Sequence, residues 1–192
     1  ALMFVLLAIV IFTVVFAWIA VAWHRFVLLE QYPGMLPAFK GQPIGAYIGK
    51  TLVLSLLVAL VAFAFAFVIG FLTAVTASMG VAIFLGVALG FAVSYIWLRI
   101  GLVLPATALR EPLKVSESIA ATKPMSGTIF GVSVILAVLN FLISLIIGQV
   151  YNFAGIIAFV LDVAVNWVFI MVGISILTTL YGHLIEKRPL ID

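Results

Sequence analysis

The chain has 192 residues, of which 67% are hydrophobic and only 8% charged, and its mean hydropathy is +1.46. Globular domains carry about 25% charged and 45–50% apolar residues, so a water-soluble fold of this size is excluded. With no cysteine, disulfides, thiolate metal sites, iron–sulfur clusters and a cysteine nucleophile are excluded too, and the excess of nine Lys/Arg over six Asp/Glu is first of all an orientation signal in a membrane chain.

Uncharged or nearly uncharged runs fall at 1–23, 52–77, 79–98, 128–150 and 153–180. Each meets the roughly 20 apolar residues needed to cross a ~30 Å hydrocarbon layer. They predict an all-α integral membrane protein, a single domain built as a bundle of five transmembrane helices. The first run, 1–23, holds one polar side chain, Thr13, and no basic segment before it. It exceeds the apolar core of about 7–15 residues typical of a signal peptide, so it reads as a full span. It leads into "WHRF", where Trp23 and Arg25 suit a membrane boundary. The stretch "EQYPGMLPAFKGQPIGAYIGK" (30–50) contains Pro33, Pro37 and Pro43 with Gly34, Gly41 and Gly45, which predicts an ordered interfacial loop rather than helix. Tyr32, Phe39 and Tyr47 belong at the headgroup layer.

In the second span "AFAFAF" alternates as a strand would, but the run is far longer than the about 9–11 residues of a barrel strand, which predicts helix. Small residues recur every fourth position: Ala62, Ala66, Gly70, Ala74 and Ser78, then Ala82, Gly86, Gly90 and Ser94 in the third span. Close backbone approach through small residues joins helices in lipid, so these faces are expected to pack spans two and three into a hairpin, or to receive a second subunit. Arg99, at the end of span three, is expected to reach the headgroups. The connection 105–127 is expected at the interface. Within it "PLKVSESIAATKPMSG" (112–127) predicts a short amphipathic helix with Ser116 as N-cap and Pro124 as its stop. There Leu113, Val115 and Ile119 would dip into lipid, while Lys114, Glu117 and Lys123 stay wet.

Spans four and five carry polar residues where lipid is expected: Asn140 and Ser144, then Asp162 and Asn166. In an antiparallel hairpin turning near residue 153, Asn140 shares its depth with Asn166 and Ser144 shares its depth with Asp162. Within each helix the two are one turn apart on one face. The four form a candidate intramembrane polar cluster, either interhelical glue or a substrate- or proton-contacting site.

Arg25, Lys40 and Lys50, then Arg110, Lys114 and Lys123, then Lys187 and Arg188 fall in alternate connections, whereas those near 78 and 151–154 carry no charge. The positive-inside rule makes the charged side, with the C-terminus, cytoplasmic. Ala1 then lies at the opposite face, which predicts a preceding segment with a sixth span. His24 and His183, at the charged ends of spans one and five, are weak candidates for a metal, and for a haem or pigment held between two histidines. With Glu30 and Glu186 they are too sparse for a metal hydrolase. There is no phosphate loop, no G-x-S-x-G and no nucleic-acid footprint once the basic residues are read as membrane anchors. An enzyme and a bound cofactor are not expected.

The segment "RIGLVLPATALREPLKVSESIAATKPMSGTIFGV" (99–132), with a basic residue at the end of a span, "LPA", an acidic/Pro stretch and a short "S-x-x-x-T-K" helix, resembles the membrane domain of bacterial glycerophosphodiester phosphodiesterase-like proteins. "WHRFVLLEQYPG" and "YGHLIEKRPL" resemble the cytoplasmic ends of that domain. The resemblance implies a six-span fold in a bacterial inner membrane. The phosphodiesterase's catalytic carboxylates and histidines belong to a separate soluble domain and have no counterpart here. The expectation is a non-catalytic scaffold, assembly factor or accessory subunit with a protein partner in the bilayer. The alternatives are a small-molecule or lipid transporter working around Asp162, and a haem- or pigment-binding subunit working through His24 and His183.

Overall fold

A computed structural model describes residues 2–32, 34 and 36–189. Ala1 and Pro33, which entered the reading of the first span and loop, lie outside them. The described residues form seven α-helices: α1 (Leu2–Leu29), α2 (Ile44–Thr76), α3 (Met79–Ile100), α4 (Val103–Leu109), α5 (Val115–Thr122), α6 (Ser126–Tyr151) and α7 (Gly155–Leu184), with a 3-10 turn at Lys123–Met125. Five helical segments are long and apolar enough to cross a membrane. The protein is an all-α, multi-pass membrane protein.

The five predicted spans are all present, and the boundaries differ where polar residues misled. Helix α2 starts at Ile44, inside the stretch read as loop, with Gly45, Gly49 and Lys50 in its first turns. Pro43 is the reason: its carbonyl accepts the Tyr47 N–H at 2.9 Å, so the residue that cannot sit inside a helix opens one instead. The chain from Gln31 to Pro43 remains non-helical where it is described.

The chain divides into two compact units. The first comprises residues 1–54, 100–122 and 171–192. Its centre is α4, the segment expected at the interface, and Leu102, Val103, Leu104, Ala106 and Ala108 are all buried there. Helix α1 packs on α4, and both helices carry small buried residues, Ala17 and Ala20 on α1 and Ala106 and Ala108 on α4, which suits a close approach. The helix closes on Arg110, left-handed at φ 63°. Glu111 N–H reaches Ala106 O at 2.9 Å and Arg110 N–H reaches Thr107 O at 3.1 Å, the paired bonds of a Schellman end.

Helix α5 also departs from expectation. It begins one residue before Ser116, and Glu117 reaches back to the Lys114 N–H at 2.8 Å. This is the return half of a capping box, with Lys114 in the cap position. Ser118 and Thr122 are its buried face and Ile119 is exposed. Pro124 does not end the helical path: one 3-10 turn carries it into α6.

The second unit comprises residues 55–99 and 123–170. Helices α3 and α6 meet through Phe91 and Phe130, edge to face with centroids 4.8 Å apart, and through Tyr95 against Phe130 at 6.4 Å. The small-residue faces do not pack α2 against α3 as expected. Ala66, Gly70, Ala74, Gly86 and Gly90 are exposed and Ala82 is half-buried, and a Cβ built on Gly70 or Gly86 would meet nothing within 4 Å. Only Gly90 approaches a neighbour, Ala137 of α6. The contact between α3 and α6 is made by large aromatic side chains.

Candidate functional site

In the first unit a polar cluster is buried at the end of α1. His24 is 0% exposed. Its Nδ1 lies 2.8 Å from Thr178 Oγ1 on α7 and its Nε2 lies 3.2 Å from the Tyr47 hydroxyl on α2. The proton positions follow from the neighbours. Thr178 donates its own hydrogen to Ile174 O at 2.7 Å, so toward His24 it can only accept. Nδ1 therefore carries the proton, and Nε2 accepts from Tyr47. The imidazole is held in one tautomer by three helices.

Around it lie buried Tyr181 and a set of partly and fully exposed charged side chains. The Tyr181 hydroxyl, one turn after Thr178, donates to the Glu111 carboxylate just beyond α4. Three arginines spend donors on main-chain carbonyls of neighbouring elements: Arg25 on Ala108 O at 2.9 Å, Arg110 on Gly41 O, and Arg188 on Leu28 O. Arg188 also pairs with Glu186 at 2.6 Å. A carbonyl left at a helix end needs a donor, and an arginine fork supplies several in fixed geometry. Arg25 and Arg188, expected as headgroup anchors, thus also tie the three charged connections to one another.

The remaining anchors divide. Lys114, Lys123 and Lys187 are exposed. Trp23 packs against Phe26, and Arg99 lies over the Tyr95 ring and donates to its hydroxyl at 3.2 Å. His183 is half-buried with Nδ1 on the Arg188 carbonyl at 2.8 Å. The two histidines have separate hydrogen-bond partners. An iron at His24 would have to displace Tyr47 or Thr178, because neither ring nitrogen is free. Among the described residues no three His, Cys, Asp or Glu side chains gather as a metal site would require.

The intramembrane cluster of Asn140, Ser144, Asp162 and Asn166 forms only in part. Asn166 Nδ2 donates to Asp162 O at 2.8 Å and to Asp162 Oδ1 at 3.1 Å, both within α7. Asn140 and Ser144 are exposed on α6, and among the described residues neither has a hydrogen-bond partner. The expected ladder across the α6–α7 hairpin is absent because the asparagine amide finds an acceptor one turn away on its own helix, which costs no reorientation of a neighbour.

The sequence reading placed Tyr47 at the headgroup layer, whereas it is buried against His24, and it did not single out Thr178, Tyr181 or Glu111. A signal was present. Ala17, Ala20, Val21, His24 and Leu28 recur at helical spacing and all are buried, which puts His24 on the inward face of α1. Ile174, Leu177, Thr178 and Tyr181 do the same on α7. No known family model, curated protein or solved structure matches the chain.

Proposed function

We propose that the protein is a non-catalytic subunit, scaffold or assembly factor of a larger membrane complex, in a bacterial inner membrane with its C-terminus cytoplasmic. One observation carries this reading. Helices long enough to span the bilayer display Asn140, Ser144 and Asn166 outward. Hydrocarbon cannot satisfy an amide or a hydroxyl, so such groups call for a polar neighbour within the membrane. The buried cluster of the first unit supports the same reading from the other direction. Its histidine and hydroxyls are consumed in joining helices, which suits a framework better than a reaction centre. The resemblance at residues 99–132 to a membrane domain whose catalytic residues lie in a separate soluble domain points the same way.

Purification of the protein from native membranes in a mild detergent tests the proposal. The expected outcome is a species larger than one chain, of constant composition. A monomer with no companion at any detergent concentration overturns it. A transporter working around Asp162 draws less support, since its four polar side chains do not converge. Liposome flux that disappears in Asp162→Asn would favour it.

A further inference from the structure

The unsatisfied groups of α6 and α7 are complementary in kind. The Asn166 amide nitrogen is engaged inside α7, as donor to Asp162 O at 2.8 Å and to Asp162 Oδ1 at 3.1 Å. What α7 has left is acceptors: the Asn166 carbonyl oxygen and the second oxygen of the Asp162 carboxyl. What α6 offers is donors: the Asn140 amide and the Ser144 hydroxyl. The latter is not folded back on its own helix as Ser133 is on Ile129 O at 2.8 Å.

Their depths also match. Counting from the turn at 152–154 with a rise of 1.5 Å per residue, Ser144 and Asp162 each lie about 12 Å along their helices, and Asn140 and Asn166 each about 18 Å. Donors and acceptors at equal depth, on the two helices joined by this turn, do not meet: Asn140, Ser144 and Asn166 are exposed and Asp162 is half-buried.

We propose that a second copy of the chain covers this face, with α6 of each copy against α7 of the other. This rests on the subunit reading above and names the partner. A second copy inserted with the same orientation is related by a two-fold axis along the membrane normal, and such an axis preserves depth. It brings Ser144 to Asp162 and Asn140 to Asn166 across the interface, twice over. That is the self-complementarity an isologous dimer demands. A foreign helix would have to supply both sets at both depths.

The chain has no cysteine, so each copy carries only the one introduced. Differently tagged copies of the full chain, one carrying Ser144→Cys and the other Asp162→Cys, are co-expressed and oxidised in their own membranes. The expected result is a mixed-tag disulfide dimer, while copies with cysteine at the exposed Phe159 give none. An adduct with a different protein overturns the second copy but leaves the subunit reading standing. Absence of any adduct, with both thiols reactive to maleimide, overturns both. Because the substitutions remove two of the polar groups, a second measurement keeps them: reversible dimerisation of the cysteine-free chain in bicelles. Asn140→Leu should weaken it by about 10-fold or more, since the symmetry deletes its contact twice and each interhelical bond in lipid contributes about 3-fold or more. An unchanged dimer in Asn140→Leu overturns the proposed interface.

Discussion

His24 shows what a polar residue does when a helix face turns inward. The ring is fully buried and both nitrogens are satisfied by hydroxyls, from Tyr47 and Thr178. Removing either hydroxyl strands a buried nitrogen, and an unmade hydrogen bond in such a place costs about 1–3 kcal/mol. Thr178→Val and Tyr47→Phe are each expected to lower stability by that amount, measured by thermal unfolding in detergent. The same substitutions made in a His24→Leu background should cost markedly less, because the stranded partner is gone. Equal losses in both backgrounds would show that the hydroxyls stabilise through other contacts. This site was half legible in the chain. The spacing of Ala17, Val21, His24 and Leu28 reveals an inward face. Which hydroxyls would meet His24 depends on helices more than 20 and more than 150 residues away, and no local pattern encodes that pairing.

Helices were legible because length and hydropathy fix them; their ends and faces were not. Pro43, Ser116 and Pro124 each carry a local signal whose outcome depended on neighbours. Pro43 opens α2, Ser116 yields the cap to Lys114 with Glu117, and Pro124 is absorbed in one 3-10 turn. The end of α2 invites a test. Ala77 sits just past the helix at φ 48°, its N–H on Thr73 O at 2.9 Å, in the left-handed position that a Cβ disfavours and glycine accepts. Ala77→Gly is expected to raise stability by about 0.5–1 kcal/mol in detergent unfolding, against the usual direction for glycine. At the end of α7 the reverse holds. A Cβ on Gly182 would stand 3.3 Å from Leu28 Cδ2 and 3.7 Å from Arg188 Cδ. Gly182→Val, with two more methyls to place, is expected to cost about 1–3 kcal/mol by overpacking. Gly173→Ala, where nothing lies within 4 Å, should be neutral or stabilising. The small-residue faces on α2 and α3 show the limit of pattern reading: spacing reveals that a face is smooth, not what will lie against it.

At the scale of the whole molecule, the distribution of charge is the feature that orients it. Of the basic residues in the three charged connections, Arg25, Lys40, Lys50, Arg110, Lys114, Lys187 and Arg188 belong to the first unit and Lys123 to the second. Within the first unit Arg25 reaches the end of α4, Arg110 reaches Gly41 and Arg188 reaches the end of α1. Side chains that bond one another's backbones must share an aqueous boundary, so the fold itself requires these connections to lie on one side. The uncharged turns near Ser78 and Phe153 belong to the second unit. Carrying even one of the exposed lysines through the hydrocarbon would cost about 2.5–3.5 kcal/mol at the bilayer centre, which argues against an alternative threading. On the proposed orientation, single cysteines at Lys40, Lys114 and Lys187 are expected to react with an impermeant maleimide only from the cytoplasmic side, after the membrane is opened. Cysteines at Ser78 and Phe153 should react in intact cells. If Lys40 and Lys187 were labelled from opposite sides, Arg25, Arg110 and Arg188 could not hold the elements they hold. The equal depths that match Ser144 to Asp162 require both hairpin strands to cross the same bilayer, so this labelling pattern also bears directly on the dimer proposed through α6 and α7.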